Sequence, residues 1–312
     1  MTSWLLLSVP ILLFPVVLFL GFAGCHPDTF ASTTVAPTKD GAKPGQGSVY
    51  RPPTPPTVGA PQSYDQLIEG AQGLIAYWHL NETSGTIAHD TGPLLKAGSP
   101  IDGTFNFAPG GTPARELGSK APLFDGTSAY VEVPPVGAPF DARLSTPAFS
   151  IEAWVNVQGD PTARGWNAQQ AVVSFHEIGG TPSDRGFVLM VIHSTSQSEV
   201  QGVLYTDTGV VTVPFPLTGG FGGPTQWWHL VLTYKYQGDL NLYVNGDPAP
   251  GGSVTAQSAY APNTSQSLRI GADRRKPDAP VNFFDGSVEE VALYSSVLPP
   301  SDVRTHFRAA SP

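Results

Sequence analysis

The chain has 312 residues, 40% hydrophobic and 13% charged, with 34 Gly and 32 Pro, a composition that predicts many turns and few helices. Lys+Arg number 16 against 25 Asp+Glu, a net charge of −9, and no basic run occurs, which excludes a nucleic-acid partner. The single cysteine, Cys25, excludes an intrachain disulfide.

Residues 1–25 come first. Trp4 to Leu20 is nearly all apolar, and Met1 to Gly24 carries no charged side chain. Small residues then precede Cys25, and Phe22-Ala23-Gly24-Cys25 resembles a bacterial lipobox, with Phe where Leu is usual. Three readings stay open: a lipoprotein signal that makes Cys25 the lipidated residue, an uncleaved membrane anchor, and a conventionally cleaved signal. All three put the remaining chain outside the cytoplasm, and the first two leave it attached to a membrane through the N-terminus.

Residues 26–64 form a Pro/Thr-rich stretch that includes Arg51-Pro52-Pro53-Thr54-Pro55-Pro56. It has no apolar period and reads as a disordered, semi-extended linker.

From residue 65 to 312 the pattern is that of strands. Phe149 to Val157 alternates, with apolar residues at odd positions and polar ones at even positions apart from Trp154. Trp228, Leu230, Leu232 and Tyr234 share one strand face, and Leu240, Leu242 and Val244 share another. Asn245-Gly246 is a hairpin signal, because both residue types accept positive φ. Further strands are expected near 73–79, 130–133, 171–175, 186–192, 200–205, 210–213, 268–270 and 288–294. Pro299 to Phe307 predicts a short C-terminal helix with Val303 and Phe307 facing the body of the domain. Trp78, Trp154 and Trp228 read as core or sheet-packing residues, and His79 and His229 as ordinary strand residues. The expectation is an all-β, antiparallel two-sheet jelly-roll sandwich.

Four segments in order carry a resemblance: Gly73 to Thr86 with Asp90 after it; Leu123-Phe124-Asp125-Gly126-Thr127-Ser128-Ala129-Tyr130-Val131; Phe149–Val157; and Trp228–Val231 with Leu242–Gly246, followed by Phe284-Asp285-Gly286-Ser287-Val288-Glu289-Glu290-Val291. They resemble the laminin-G-like, concanavalin-A-like family over about residues 70–309. The resemblance implies an extracellular binding or adhesion module for carbohydrate or protein, and a structural Ca²⁺ held by Asp90 and by Glu289, where the family usually has Asp. Asp102 and Asp125 are lesser candidates for that ion.

The superfamily also includes glycoside hydrolases, whose β-jelly-roll members carry Glu-x-Asp-x-x-Glu on one strand. No Glu here is followed two residues later by Asp, so no catalytic residue is assigned and the chain is read as a non-enzyme. The alternatives are a structural envelope protein and a glycosidase using other carboxylates. For a ligand, the loop residues Trp166 and Phe221 are the stacking candidates and Arg274 and Arg275 the acid-binding ones. The sequence sets neither the ligand nor the oligomeric state.

Overall fold

A computed structural model describes residues 62–115, 120–135, 148–159, 169–178, 184–236, 238–256, 258–263, 266–275 and 278–310. The chain divides into two units, Met1–Val58 and Gly59–Pro312, and every described residue belongs to the second.

In chain order the strands are β1 (Leu74–Trp78), β2 (Ile87–Ala88), β3 (Gly103–Phe105), β4 (Thr112–Pro113), β5 (Lys120–Ala121), β6 (Leu123–Asp125), β7 (Val131–Val133), β8 (Ala148–Val157), β9 (Gln169–Glu177), β10 (Arg185–His193), β11 (Ser198–Thr206), β12 (Gly209–Pro216), β13 (Trp228–Lys235), β14 (Asp239–Val244), β15 (Asp247–Pro248), β16 (Val254–Thr255), β17 (Leu268–Ile270), β18 (Asp273–Arg275), β19 (Ala279–Val281) and β20 (Asp285–Tyr294). One eight-stranded sheet runs β1-β20-β8-β13-β14-β15, with β16 on β14 and β6 on β20; the second runs β12-β11-β10-β9-β17-β7-β3-β2. Every pairing is antiparallel.

The period of two decides which residues fill the space between the sheets. Phe149, Ile151, Ala153, Val155 and Val157 of β8 and Leu230, Leu232 and Tyr234 of β13 enter one core with Phe175, Phe187, Leu189 and Leu204 from the other sheet. Phe149 lies 5.0 Å from Phe187, ring to ring, across the two layers. Trp78 is fully buried, and its indole N–H donates to the Ile101 carbonyl at 2.8 Å. Asn245 (φ 52) and Gly246 (φ 81) turn β14 into β15 as the Asn-Gly pair predicts.

Asp125 explains the Phe124-Asp125-Gly126 signature. One carboxylate oxygen accepts the N–H groups of Thr127, Ser128 and Ala129 at 2.7–2.9 Å, and the other accepts the Ser128 hydroxyl at 2.7 Å. The side chain replaces main-chain partners that this tight turn lacks. Asp125→Ala is expected to destabilise the domain by about 1–2 kcal/mol, seen as a lower urea midpoint at unchanged m value.

The edge strand β12 pairs with β11 on one side only, and it carries Pro214 opposite Gln201 and Pro216 opposite Glu199. At the other sheet's edge, β15 contains Pro248.

Helices cover the outer face of the β8–β20 sheet. The predicted C-terminal helix spans Pro300–Ala310, with Val303, His306 and Ala310 buried. A second helix, Tyr64–Gly70, falls where the sequence suggests the end of the linker. A capping box starts it: the Gln66 N–H donates to Ser63 Oγ at 3.3 Å, and the Ser63 N–H donates to Gln66 Oε1 at 3.0 Å. Among the described residues no helix is long and apolar enough to cross a membrane.

Candidate binding site

The outer face of β8 carries the even-numbered residues, and it is not solvent-facing: Ser150, Glu152 and Asn156 are at most 1% exposed. Each polar group is matched. Ser150 Oγ donates to the Ser296 carbonyl at 2.8 Å and accepts from the Leu298 N–H at 2.9 Å. Asn156 Nδ2 donates to the Gln226 carbonyl at 2.7 Å.

Glu152 is the hub. Its carboxylate accepts the hydroxyls of Tyr64 and Tyr294 at 2.9 Å each, and contacts His229 Nε2 at 2.7 Å and His306 Nδ1 at 3.0 Å. Four partners fill the lone-pair capacity of one carboxylate. Burial alone raises such a carboxyl, but the hydrogen bonds and charge of His229 and His306 outweigh it and hold Glu152 well below the usual carboxylate range. Burial pulls the His306 imidazole down, and Glu152 more than reverses this, leaving it raised. The network joins the two covering helices, β8, β13 and β20, and none of its members is more than 3% exposed.

Arg115 sits beside the network. Its Nε lies 3.3 Å from Glu289 Oε1, its Nη1 donates to the Ala310 carbonyl at 2.5 Å, and its guanidinium lies 4.8 Å from the Trp154 ring and 5.5 Å from the Tyr64 ring. A cation at the last carbonyls of a helix is well placed electrostatically. Trp154 in turn stacks on Phe307 at 5.9 Å and tilts over His229 at 4.9 Å.

Arg115, Trp154, Gln226, Trp227, Asn245 and Phe307 line a cleft of about 320 Å³. That volume falls at the lower end for small-ligand sites. Trp227 and Phe307 are half-buried, so ring surface faces the cleft. Trp154 is 2% exposed, and its indole N–H has no hydrogen-bond partner. An unmatched buried donor costs about 1–3 kcal/mol. A more open groove of about 400 Å³ lies between the two helices, but His306 is its one ring-bearing wall residue.

The sequence candidates fall elsewhere. Cys25 and Trp166 lie outside the described residues. Phe221 is 1% exposed, edge-on to Trp228 at 6.1 Å, and its carbonyl accepts the Trp228 indole N–H at 3.0 Å. It is a core residue with no free face for stacking. Arg274 is 3% exposed and spends its guanidinium on Gln266, Ser267 and Asp278, so it is no surface anion site, whereas Arg275 beside it on β18 is exposed. Of the described candidates, Phe221, Arg274 and Arg275 do not share one site.

The calcium expectation fits poorly with the donor set. Asp90 Oδ1 accepts the N–H groups of Tyr77 and Gly92 at 2.9 and 2.8 Å, and Oδ2 accepts that of Ile101 at 2.9 Å. Glu289 faces Arg115. Both carboxylates therefore face groups that a cation would have to displace, backbone N–H donors at Asp90 and the Arg115 guanidinium at Glu289, and neither shares a cluster of ligand atoms with the other. Asp102 accepts the Asp90 N–H, and Asp125 is committed to its turn. The residues do not fit the ion.

Two antiparallel sheets of this order form a jelly-roll sandwich. The chain belongs to the concanavalin A-like lectin/glucanases superfamily, whose laminin-G-type profile matches residues 125–304. The search of curated proteins gave no match. Among solved structures, one concerning botulinum neurotoxin type C and its interaction with two ganglioside molecules superposes with a TM-score of 0.54 at 12% identity, over 76% of this chain and 51% of its own. The receptor-binding domain of botulinum neurotoxin mosaic serotype C/D superposes with a TM-score of 0.52 at 13% identity, over 76% of this chain and 50% of its own. The chain spans about half the length of these structures, and at such identity the likeness shows the fold alone.

Proposed function

We propose that the chain is a non-catalytic carbohydrate-binding module, displayed outside the cell and held to a membrane by its first 25 residues, with Cys25 as the attachment point. The observation that carries the ligand reading is a cleft walled by two half-buried rings, Trp227 and Phe307, beside the Arg115 guanidinium. A sugar ring offers an apolar face to Trp227. Asn245 and Gln226 supply amide groups at the rim. The superfamily and the ganglioside-associated neurotoxin structures support a glycan over a protein ligand. Glu152 does not favour a glycosidase, because it is fully buried and its oxygens are already engaged, whereas a catalytic carboxyl must reach the scissile bond.

The test is a glycan array probed with the detergent-solubilised full chain, followed by titration of the best glycan against Trp227→Ala. The expected loss is about 10–100-fold in affinity with cooperative unfolding retained, since a half-exposed aromatic is removed from the cleft and not from the core. Binding to no glycan, or binding that Trp227→Ala leaves unchanged, defeats the proposal. The anchoring half is checked separately: the intact mass of membrane-extracted protein is expected to show a lipidated N-terminal Cys25, and an unprocessed Met1 overturns it.

A further inference from the structure

Away from the cleft, among the described residues, Asp65, His79 and Glu290 bring one ligand atom each to within 4.8 Å of one another. They come from three elements: the helix Tyr64–Gly70, the residue after β1, and the irregular centre of β20, where the pairing with β8 shifts between Glu289 and Ala292. We propose that these three side chains form a site for a first-row divalent transition-metal ion such as Zn²⁺.

The chemistry of the set points to that class. One imidazole with two carboxylates is a mixed N/O donor set, and imidazole favours Zn²⁺ and its neighbours over Ca²⁺ or Mg²⁺. With neutral imidazole the cluster carries two negative charges, which a divalent ion balances. His79 Nδ1 lies 3.2 and 3.4 Å from the two oxygens of Glu290. Two atoms each about 2.05 Å from a tetrahedral Zn²⁺ stand roughly 3.3 Å apart, so this pair already spans one edge of the polyhedron.

The neighbouring Tyr77 hydroxyl belongs to the same cluster. Tyr77 Oη contacts both Asp65 Oδ1, at 3.1 Å, and Glu290 Oε2. A hydroxyl has one hydrogen, so one of these two oxygen–oxygen contacts has no proton in it. A cation bound to both carboxylates on the side of His79 lowers the negative charge that meets at this hydroxyl. The site is also reachable, because Asp65 is exposed and the His79 and Glu290 side chains retain 19% and 12% exposure. A bound ion would tie the exposed side of the first helix after the linker to β1 and β20, opposite the buried Tyr64 and Ile68.

The experiment is calorimetric titration of the chelator-stripped full chain in detergent with Zn²⁺ alone, repeated on three variants. One ion per chain is expected. His79→Ala and Glu290→Gln are expected to weaken binding by about 100-fold and Asp65→Asn by about 10-fold, on the scale of lost coordination and outer-sphere contacts. Co²⁺ substitution gives a readout free of stability: the visible ligand-field bands of the wild type should change in His79→Ala. Asp65 is on the surface, so Asp65→Asn keeps the test valid if a buried variant misfolds. Absence of Zn²⁺ binding by the wild type, or affinity and Co²⁺ bands that His79→Ala and Asp65→Asn leave unchanged, overturns the proposal.

Discussion

Glu152→Ala is expected to lower the stability of the domain by roughly 3–5 kcal/mol, the range for breaking one side of a buried charge network. The substitution strands two tyrosine hydroxyls and two imidazoles, all at or near zero exposure, with no acceptor between them. A whole domain is stable by only about 5–15 kcal/mol, so such a loss is readable directly in a urea transition. The C-terminal helix should detach first, because His306 is its polar link to the sheet, and limited proteolysis should clip the variant near residue 300. A cost under about 1 kcal/mol would show that the network is incidental.

The same network sets a pH signature. Glu152 has a folded pKa below its ordinary value of 4.5, so its contribution is fully present above pH 4.5 and fades as the pH falls through the folded value. His306 has a folded pKa above 6.5, so its contribution is fully present below pH 6.5 and fades as the pH rises through the folded value. Stability therefore peaks between these limits, in weakly acidic solution. Glu152→Gln, which keeps the shape and removes the charge, should flatten both arms of the stability–pH curve. Arms that persist in Glu152→Gln would place their origin in other groups.

Gly286→Ala carries the second large effect, roughly 3–4 kcal/mol or failure to fold. Gly286 has φ of 144°, a conformation closed to L side chains, and an added Cβ would lie 2.0 Å from the Asn156 carbonyl oxygen. That oxygen belongs to β8, the central neighbour of β20, so relief requires opening the ladder that carries Glu152 and Trp154. Gly286→Ala should give a lower thermal midpoint and lose the near-ultraviolet signature of the packed tryptophans. A fully native unfolding curve would mean that β20 can shift its register at no cost.

Much of this fold was legible because a strand's period of two is a local signal. Phe149 to Val157, Trp228 to Tyr234, the Asn245-Gly246 turn and the Val303/Phe307 face all appear where the pattern puts them. The pattern misleads about the even positions of β8, because a polar residue opposite an apolar one implies solvent only when nothing covers that face. Here two helices do. A signal for Glu152 did exist: Val303, His306, Phe307 and Ala310 follow helical spacing, so a histidine sits within the apolar stripe and needs a buried partner.

The cleft was harder to see. Arg115, Trp154, Trp227, Asn245 and Phe307 come from five separated segments, and Arg115 sits in irregular chain with no period to mark it. Phe221 and Arg274 misled for the converse reason. Glycine-flanked and charged stretches read as exposed loops, yet Phe221 folds in under Trp228, and the β18–β19 ribbon turns Arg274 back onto Asp278. His79, read as an ordinary strand residue, lies just beyond β1, and its partner Glu290 adopts φ of 56° in the middle of a strand. No local sequence signal foretells that conformation.

The prolines at the sheet margins bear on crowding. Proteins displayed side by side meet their neighbours at high local concentration, and an open strand edge is a template for stitching them into fibres. Pro214 and Pro216 remove alternate N–H donors from β12, and Pro248 removes another from β15. An approaching strand finds no continuous ladder at β12 or β15, so these two margins resist edge-to-edge pairing between copies.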